Sequence, residues 1–315
     1  MRTRAAALAS EELVEEVAAA ELVRSRSAVA AVVAGFFAAA GTHADVLLGP
    51  VTLLVAGIGT GGRVFDGRLR QPGLGAKRPR GFVSEEVPIA SRVALSTSVA
   101  AATVALAYDR RATLTAAARA GTRAAAAANA PERARVLERV AEVGPAALAE
   151  SSFVRPLLHL ASPSEGGLLT PADFVATADL VLAAEERSSR GTNTLEAPWS
   201  NLKSEPVAPG GERHAVCAVD AEGVYAALAY ERIGSGLDVP VLGLVAPLAA
   251  TPVRRGMPRV TPGQRLPAAA PIAVVCDEAN APCEVIATLQ TAPRGKKLHL
   301  SIARGVGRWL VVTRS

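Results

Sequence analysis

A thiol three residues from an imidazole, Cys217 and His214, is the first pairing in this chain that could do chemistry, since a neighbouring base can activate a sulfur nucleophile. The surrounding residues, His214-Ala215-Val216-Cys217-Ala218-Val219, carry a strand pattern. Side chains alternate along a strand, so an odd spacing sends the two groups to opposite faces. A buried core cysteine is the plainer reading of Cys217. Arg68, two residues after Asp66, offers a second chemistry, because a guanidinium can hold a carboxylate through two parallel hydrogen bonds. Its alternative is an exposed arginine within a basic stretch. The run Gly57-Ile58-Gly59-Thr60-Gly61-Gly62 invites a phosphate-loop reading, yet no Gly-Lys-Ser/Thr ending or amphipathic helix follows it. A hairpin turn between Leu53–Val55 and Val64–Phe65 accounts for these glycines. His43, His159 and His299 stand among apolar neighbours as packed or capping residues, and Asp220, Glu222 and Gly223 read as turn residues.

Composition narrows the classes. The 315 residues are 50% hydrophobic but only 3% aromatic, and alanine runs such as Ala124–Ala128 supply much of the apolar count. Alanine favours helix while burying little area, which predicts helices that dock through scattered Leu, Val and Phe. Cys217, Cys276 and Cys283 are too few and too irregular for a disulfide framework or a zinc site, so neither a metal nor a cofactor is expected, and a reducing cytoplasm is. Glu11, Glu12, Glu15 and Glu16 follow the first ten residues where a signal peptide would place an apolar segment. The uncharged run from Ser27 to Thr42 falls short of the ~20 residues that span a bilayer and reads as a buried helix. The net charge of +5 gathers at Arg63–Arg80, at Arg254–Arg265 and around Arg294, Lys296 and Lys297. Without interleaved aromatics these clusters favour a solvated surface over nucleic acid.

The elements that must position these groups follow in order. Ser10 opens a first helix as its cap, with an apolar stripe of Leu13, Val14, Val17, Leu22 and Val23. A second helix runs to Ala40, and Val51–Ala56 forms a buried strand. Residues 91–160 are mostly helical, with a new start at Pro131 and a break at Gly144-Pro145. Thr170-Pro171-Ala172-Asp173 starts another helix. Residues 188–211 read as a polar linker between a mainly helical part, 1–187, and a β-rich part, 212–315. The latter begins with a hairpin over His214–Tyr230 and continues with strands at Val239–Val245, Ile272–Asp277, Val285–Gln290 and Trp309–Thr313. The class expected is α+β, a layered α/β/β/α sandwich in which the two parts make one fold.

Several segments in this order resemble the γ-glutamyltransferase family of N-terminal-nucleophile (Ntn) hydrolases. Phe65-Asp66-Gly67-Arg68 is similar to the family's Asp-x-Arg segment, which implies that Arg68 holds the α-carboxylate of a γ-glutamyl group. Gly166–Phe174 resembles its Gly-Gly-Leu-Leu-Thr helix start. Arg213–Gly223 resembles the strand that opens the catalytic subunit, and Gly234-Ser235-Gly236 and Pro262-Gly263-Gln264-Arg265 fall on two further motifs. The resemblance thus implies a carboxylate ligand held by Asp66, Arg68 and Ser235. It also implies a threonine nucleophile that this chain lacks: Arg213 or Glu212 stands there. The family's paired serines correspond to Ala268 and Ala269, its oxyanion glycines to Ala292-Pro293-Arg294-Gly295, and the acid beside its arginine to Leu69. The chain is shorter than that family's precursors. What remains implied is a binding protein or partner subunit, as a homo-oligomer or beside an active paralogue. The alternative is an amide hydrolase with its nucleophile moved to Cys217, Thr192 or Thr194.

Overall fold

The computed structural model describes residues 5–313 apart from 60, 77–80, 84–85, 176–178, 190–191, 200–210, 267–271, 278, 280, 292–295 and 304–306. Lys77, Arg78, Arg80, Ala268, Ala269, Pro293 and Arg294 therefore lie outside the described residues.

The chain opens not with a capped helix but with a strand, β1 (Ala6–Ala9). Glu11, rather than Ser10, is the N-cap of α1 (Glu12–Ser25), and it makes no side-chain capping bond. Only part of the expected stripe on α1 is buried: Val14 and Leu22 are inside, while Leu13 and Val23 face solvent. A serine does cap α2 (Ala28–Thr42), where the Ser27 hydroxyl accepts the Ala30 N–H. Every residue of α2 from Ala28 to Gly41 is buried. β2 (Val51–Ala56) and β3 (Gly62–Gly67) form the expected hairpin, with Leu54 opposite Val64. The helical run follows as α3 (Ser98–Asp109), α4 (Leu114–Ala127), α5 (Pro131–Val143) and α6 (Ser151–Ala161).

These helices do not dock mainly through large side chains. α2 and α4 meet backbone to backbone, and a Cβ placed on Gly121 would lie 2.5 Å from the Phe37 carbonyl oxygen. Small residues thus do here what Leu and Phe were expected to do, since close approach recovers dispersion contacts that short side chains cannot reach for. Arg133 of α5 then closes the end of α2, donating to the carbonyls of Gly41 at 2.9 Å and Thr42 at 3.1 Å. Its burial lowers its pKa from the usual arginine range, with Asp45 acting the other way.

α7 (Ala172–Val175) is fixed by Asp173, whose carboxylate accepts the N–H groups of Thr170, Gly73 and Leu74. The Thr170 hydroxyl donates to the Leu74 carbonyl at 2.6 Å, so the expected cap works in the reverse sense. The stretch read as a linker begins with strands. β4 (Val181–Ala183) is followed by a hairpin of β5 (Glu185–Ser189) and β6 (Thr192–Glu196), so Thr192 and Thr194 are strand residues and not loop residues awaiting a cut. The central hairpin, β7 (Glu212–Val219) and β8 (Tyr225–Arg232), turns at Asp220–Val224. The strand expected at Val239–Val245 is two strands, β9 (Gly236–Val239) and β10 (Leu244–Pro247), because Pro240 and Gly243 break it. β11 (Ile272–Cys276), β12 (Pro282–Thr291), β13 (Lys296–Ala303) and β14 (Gly307–Thr313) complete the chain.

Two six-stranded sheets result, ordered β1-β7-β8-β2-β3-β4 and β14-β13-β12-β11-β6-β5. Leu54, Val64, Cys217, Tyr225, Ile272 and Val285 fill the space between them. α1, α2 and α3 lie on the outer face of the first sheet, with α4 packed on α2. The α+β sandwich of two sheets and helices is as expected, and the described helices stand on the first sheet's side. No described helix is long and apolar enough to cross a membrane.

Candidate functional site

Strand alternation sorts the polar groups at the start of β7 between the two faces of the first sheet. Ala215, Cys217 and Val219 point to the inter-sheet space, whereas Val216 and Ala218 point to the helices. Arg213 belongs with the former set and His214 with the latter. The same alternation puts Glu231 of β8, Thr52 of β2 and Asp66 of β3 on the inter-sheet side, with their neighbours Ala229, Leu54 and Val64. One end of that space therefore carries a polar row within an apolar interior.

Arg213, at the position the resemblance assigns to the nucleophile, stands directly opposite Glu231. The side chains are 4% and 3% exposed, and Arg213 Nε lies 4.0 Å from Glu231 Oε1. Glu212 lies on the helical side, 3.7 Å from Arg232. Neither supplies a hydroxyl or thiol. Further along this face, Arg68 grips Asp66 with Nε and Nη2 at 3.0 and 2.9 Å, and its guanidinium lies 3.8 Å above the Trp199 ring. Arg265 approaches the same carboxylate at 3.3 Å and donates to the Thr97 hydroxyl at 2.8 Å. It is delivered by the Pro262-Gly263-Gln264 loop, which is tied to Gln71 through the Gly263 N–H and the Gln264 carbonyl. Burial lowers the Arg265 pKa; the Asp66 charge opposes this, and Arg70 and Arg68 add to it. Three guanidiniums thus gather at this end of the sheet.

The structure brings together Asp66 and Arg68, but not Ser235. That residue is exposed in the turn after β8, its N–H bonded to the Ile233 carbonyl, and among the described residues it makes no hydrogen bond to Asp66 or Arg68. Leu69 is a core residue, packed with Ala94, Ala250 and Leu266. Arg265, Thr97 and Trp199 were missed as members of this group. They come from segments distant in sequence, and only Arg265 sat in a motif.

Cys217 lies between the sheets, opposite Leu8 and Ala227. Burial pushes its thiol up to about 12, the reverse of what a thiolate nucleophile needs. His214 faces the other way and stacks on Tyr230 at 5.4 Å. Its Nδ1 is 3.1 Å from the Ser10 hydroxyl and 3.2 Å from Glu11 Oε1. A serine beside a histidine suggests a nucleophile and base, but the carboxylate shares the same ring nitrogen. Carboxylates flank both ring nitrogens, with Glu212 3.5 Å from Nε2, and the Ser10 hydroxyl is itself engaged by the Ala215 N–H. The arrangement is a clasp between β1, α1 and β7. His43 completes it from the end of α2, 2.7 Å from Glu11, whereas His159 is exposed on α6 instead of packed or capping. His299 is in β13, and its side chain lies outside the described set.

The clasp makes stability pH-dependent. Burial would raise the Glu11 pKa, but hydrogen bonds from His43 and Tyr230 and the nearby imidazoles outweigh it and hold the carboxyl at about 2, against 4.5 when unfolded. A depressed acid pKa stabilises above the unfolded value, and that stability is lost as pH falls from 4.5 towards 2. His214 acts in the same direction, because burial lowers its pKa below 6.5 and the unfolded chain takes up the proton first. Urea midpoints should therefore fall as pH drops below about 6.5, and Glu11→Gln should flatten the part between 4.5 and 2.

No family model matches this chain, and no curated protein matches it. Solved structures do. Two structures of LmbA2991 superpose with TM-scores of 0.69 and 0.65, each at 15% identity, covering 92% and 91% of this chain and 79% and 78% of theirs. Cephalosporin acylase from Bacillus halodurans, an Ntn hydrolase, superposes at 0.70 with 11% identity, over 92% of this chain and 78% of its own. Identities this low establish architecture and not reaction, and the architecture of this chain is Ntn-hydrolase-like.

Proposed function

We propose that this chain uses an Ntn-hydrolase-like fold to bind a carboxylate, a γ-glutamyl group or a related acid, without transpeptidase chemistry. The observation that supports this reading is the start of β7: where the resemblance would put a hydroxyl nucleophile, Arg213 is buried opposite Glu231. An α-amine and hydroxyl on one residue would have to be exposed there for autocleavage to give an active enzyme. The Asp66, Arg68 and Arg265 cluster supports the binding half of the proposal. Two guanidiniums share one carboxylate, so donors are left over for an anionic ligand.

The test combines intact mass with turnover. The purified protein is expected to give one mass for the whole chain and no release of nitroaniline from a γ-glutamyl anilide. Two fragments meeting near residue 212 together with turnover would overturn the reading. Glutamate binding, followed calorimetrically, is expected to weaken roughly tenfold in Arg68→Ala, the loss expected for a charged hydrogen-bond donor.

A further inference from the structure

The outer face of the helical layer carries two sets of exposed charges that the site at Arg68 does not use. α1 and α4 both pack on α2, and between them lies a groove of about 320 Å³, floored by Ala34 and edged by Val17, Ala20, Ala116 and Ala120. Its charged lining is Glu21, Arg24, Arg119 and Arg123. Glu21 and Arg24 already answer each other, through bonds of 2.9 and 2.6 Å. Arg119 and Arg123 are exposed one turn apart on α4, and neither has an ion pair among the described residues. α4 itself carries no acid that could answer them.

The complementary charges stand on α1. Glu12 and Glu16 are exposed one turn apart, again without an ion pair among the described residues. Their spacing puts them on one outward stripe with Ala20 and Val23, the latter 82% exposed. The relative direction of the helices then matters. α1 and α2 form a hairpin about Arg26-Ser27. Gly41 lies against Ala124 and Gly121 against Phe37, so α4 runs the same way as α2 and opposite to α1. A two-fold axis parallel to these helices, passing above the groove, lays α1 of one copy antiparallel on α4 of the other. Such an axis makes the contact twice. Antiparallel order pairs Glu12 with the partner's Arg123 and Glu16 with the partner's Arg119.

We infer that this face joins two copies of the chain, through four ion pairs between α1 and α4 set around a centre of alanines and Val23. A small anion would engage the arginines but leave Glu12 and Glu16 unanswered. A negatively charged membrane surface would be repelled by the same two acids. A second copy answers all four charges at once, and matches their spacing of one turn on each helix. The interface lies on the helical side of the first sheet. It neither uses nor requires the Asp66 and Arg68 group, so its success or failure is separate from the carboxylate binding proposed there.

Sedimentation of the whole chain tests it. The protein should be a dimer at about 0.1 M salt and shift towards monomer at about 1 M, where the screening length falls from about 10 Å to about 3 Å. Arg119→Glu combined with Arg123→Glu sets acid against acid in both halves of the contact, and should weaken association at least roughly a hundredfold. Glu12→Arg combined with Glu16→Arg should do the same by setting base against base. All four positions are exposed, so both double variants should keep a cooperative melting transition. Mixed one to one, they restore opposite charges in both halves and should form a heterodimer. A monomeric unaltered protein at the lower salt would overturn the inference. So would a dimer undiminished in either double variant, or two monomeric variants that fail to pair when mixed.

Discussion

Replacing Arg111 by alanine should cost about 3–5 kcal/mol of stability, measured as a fall in the urea midpoint. Arg111 sits in the turn between α3 and α4, and its guanidinium reaches Asp109 and Asp220 at 2.6 Å each and Glu222 at 2.5 Å. Its own side chain is 28% exposed, but those of Asp109 and Asp220 are 1% and 0% exposed. Asp109 also takes the Ser27 hydroxyl, and Asp220 takes the N–H groups of Glu222 and Val224. Those bonds hold both carboxylates in place when the arginine is gone, so the variant strands two buried negative charges. Burial works against the charge on Arg111, yet the two aspartates hold its pKa above the usual arginine range. Two controls separate charge from packing. Arg111→Lys should recover part of the loss, and Arg111→Ala combined with Asp109→Asn should be more stable than Arg111→Ala alone. A single-variant loss below about 1 kcal/mol would show that this network is as weak as an exposed pair.

The second large effect is expected at Gly121. Any side chain there points at the Phe37 carbonyl of α2 from 2.5 Å, and Leu137 closes the other side. Neither α2 nor α4 can yield without opening the alanine interface between them. Gly121→Val should therefore cost about 2–3 kcal/mol through overpacking, seen as a lower thermal midpoint. Ala126→Val, on the exposed face of the same helix, should stay within about 0.5 kcal/mol and gives the comparison. Similar losses at the two sites would mean that helix propensity, not close approach, governs the change.

These two sites show where sequence reasoning reaches and where it stops. The hairpins β2–β3 and β7–β8 were legible because apolar residues alternate there around glycine turns, and tertiary packing agreed with the local pattern. β1 was not, since Ala6-Ala7-Leu8-Ala9 has no strand propensity of its own and is a strand only because β7 offers an edge. β6 and the end of β5 read as linker because Glu185–Ser189 is polar throughout, and of the described residues of β6 only Leu195 and Glu196 are buried. β13 was missed beside the basic residues that precede it. In the candidate site, Asp66 and Arg68 were legible only through the Asp-x-Arg resemblance, for Arg68 lies just past the end of β3. Arg265, Trp199, Thr97 and Arg70 were not, for they converge through loops whose paths no periodicity encodes. Ser235 shows the converse, a residue picked out by motif and placed by the fold in an exposed turn.

The strand order also decides when the molecule can fold during synthesis. Ser10 hydrogen-bonds Ala215 across 205 positions of sequence, and β2 pairs with β8 on its other side. A nascent chain released only as far as α6 has its helices and the β2–β3 hairpin, but the middle of the first sheet is still unmade. Until β7 and β8 emerge, the edges of β1 and β2 and the apolar face of α2 that covers them must be shielded or left waiting. Closing so long a loop comes before any of these pairings rewards it, so refolding of the whole chain belongs to the slow range of ms–s or beyond. The clasp at Glu11 and His214 cannot form until β7 has emerged, after all of α1–α7.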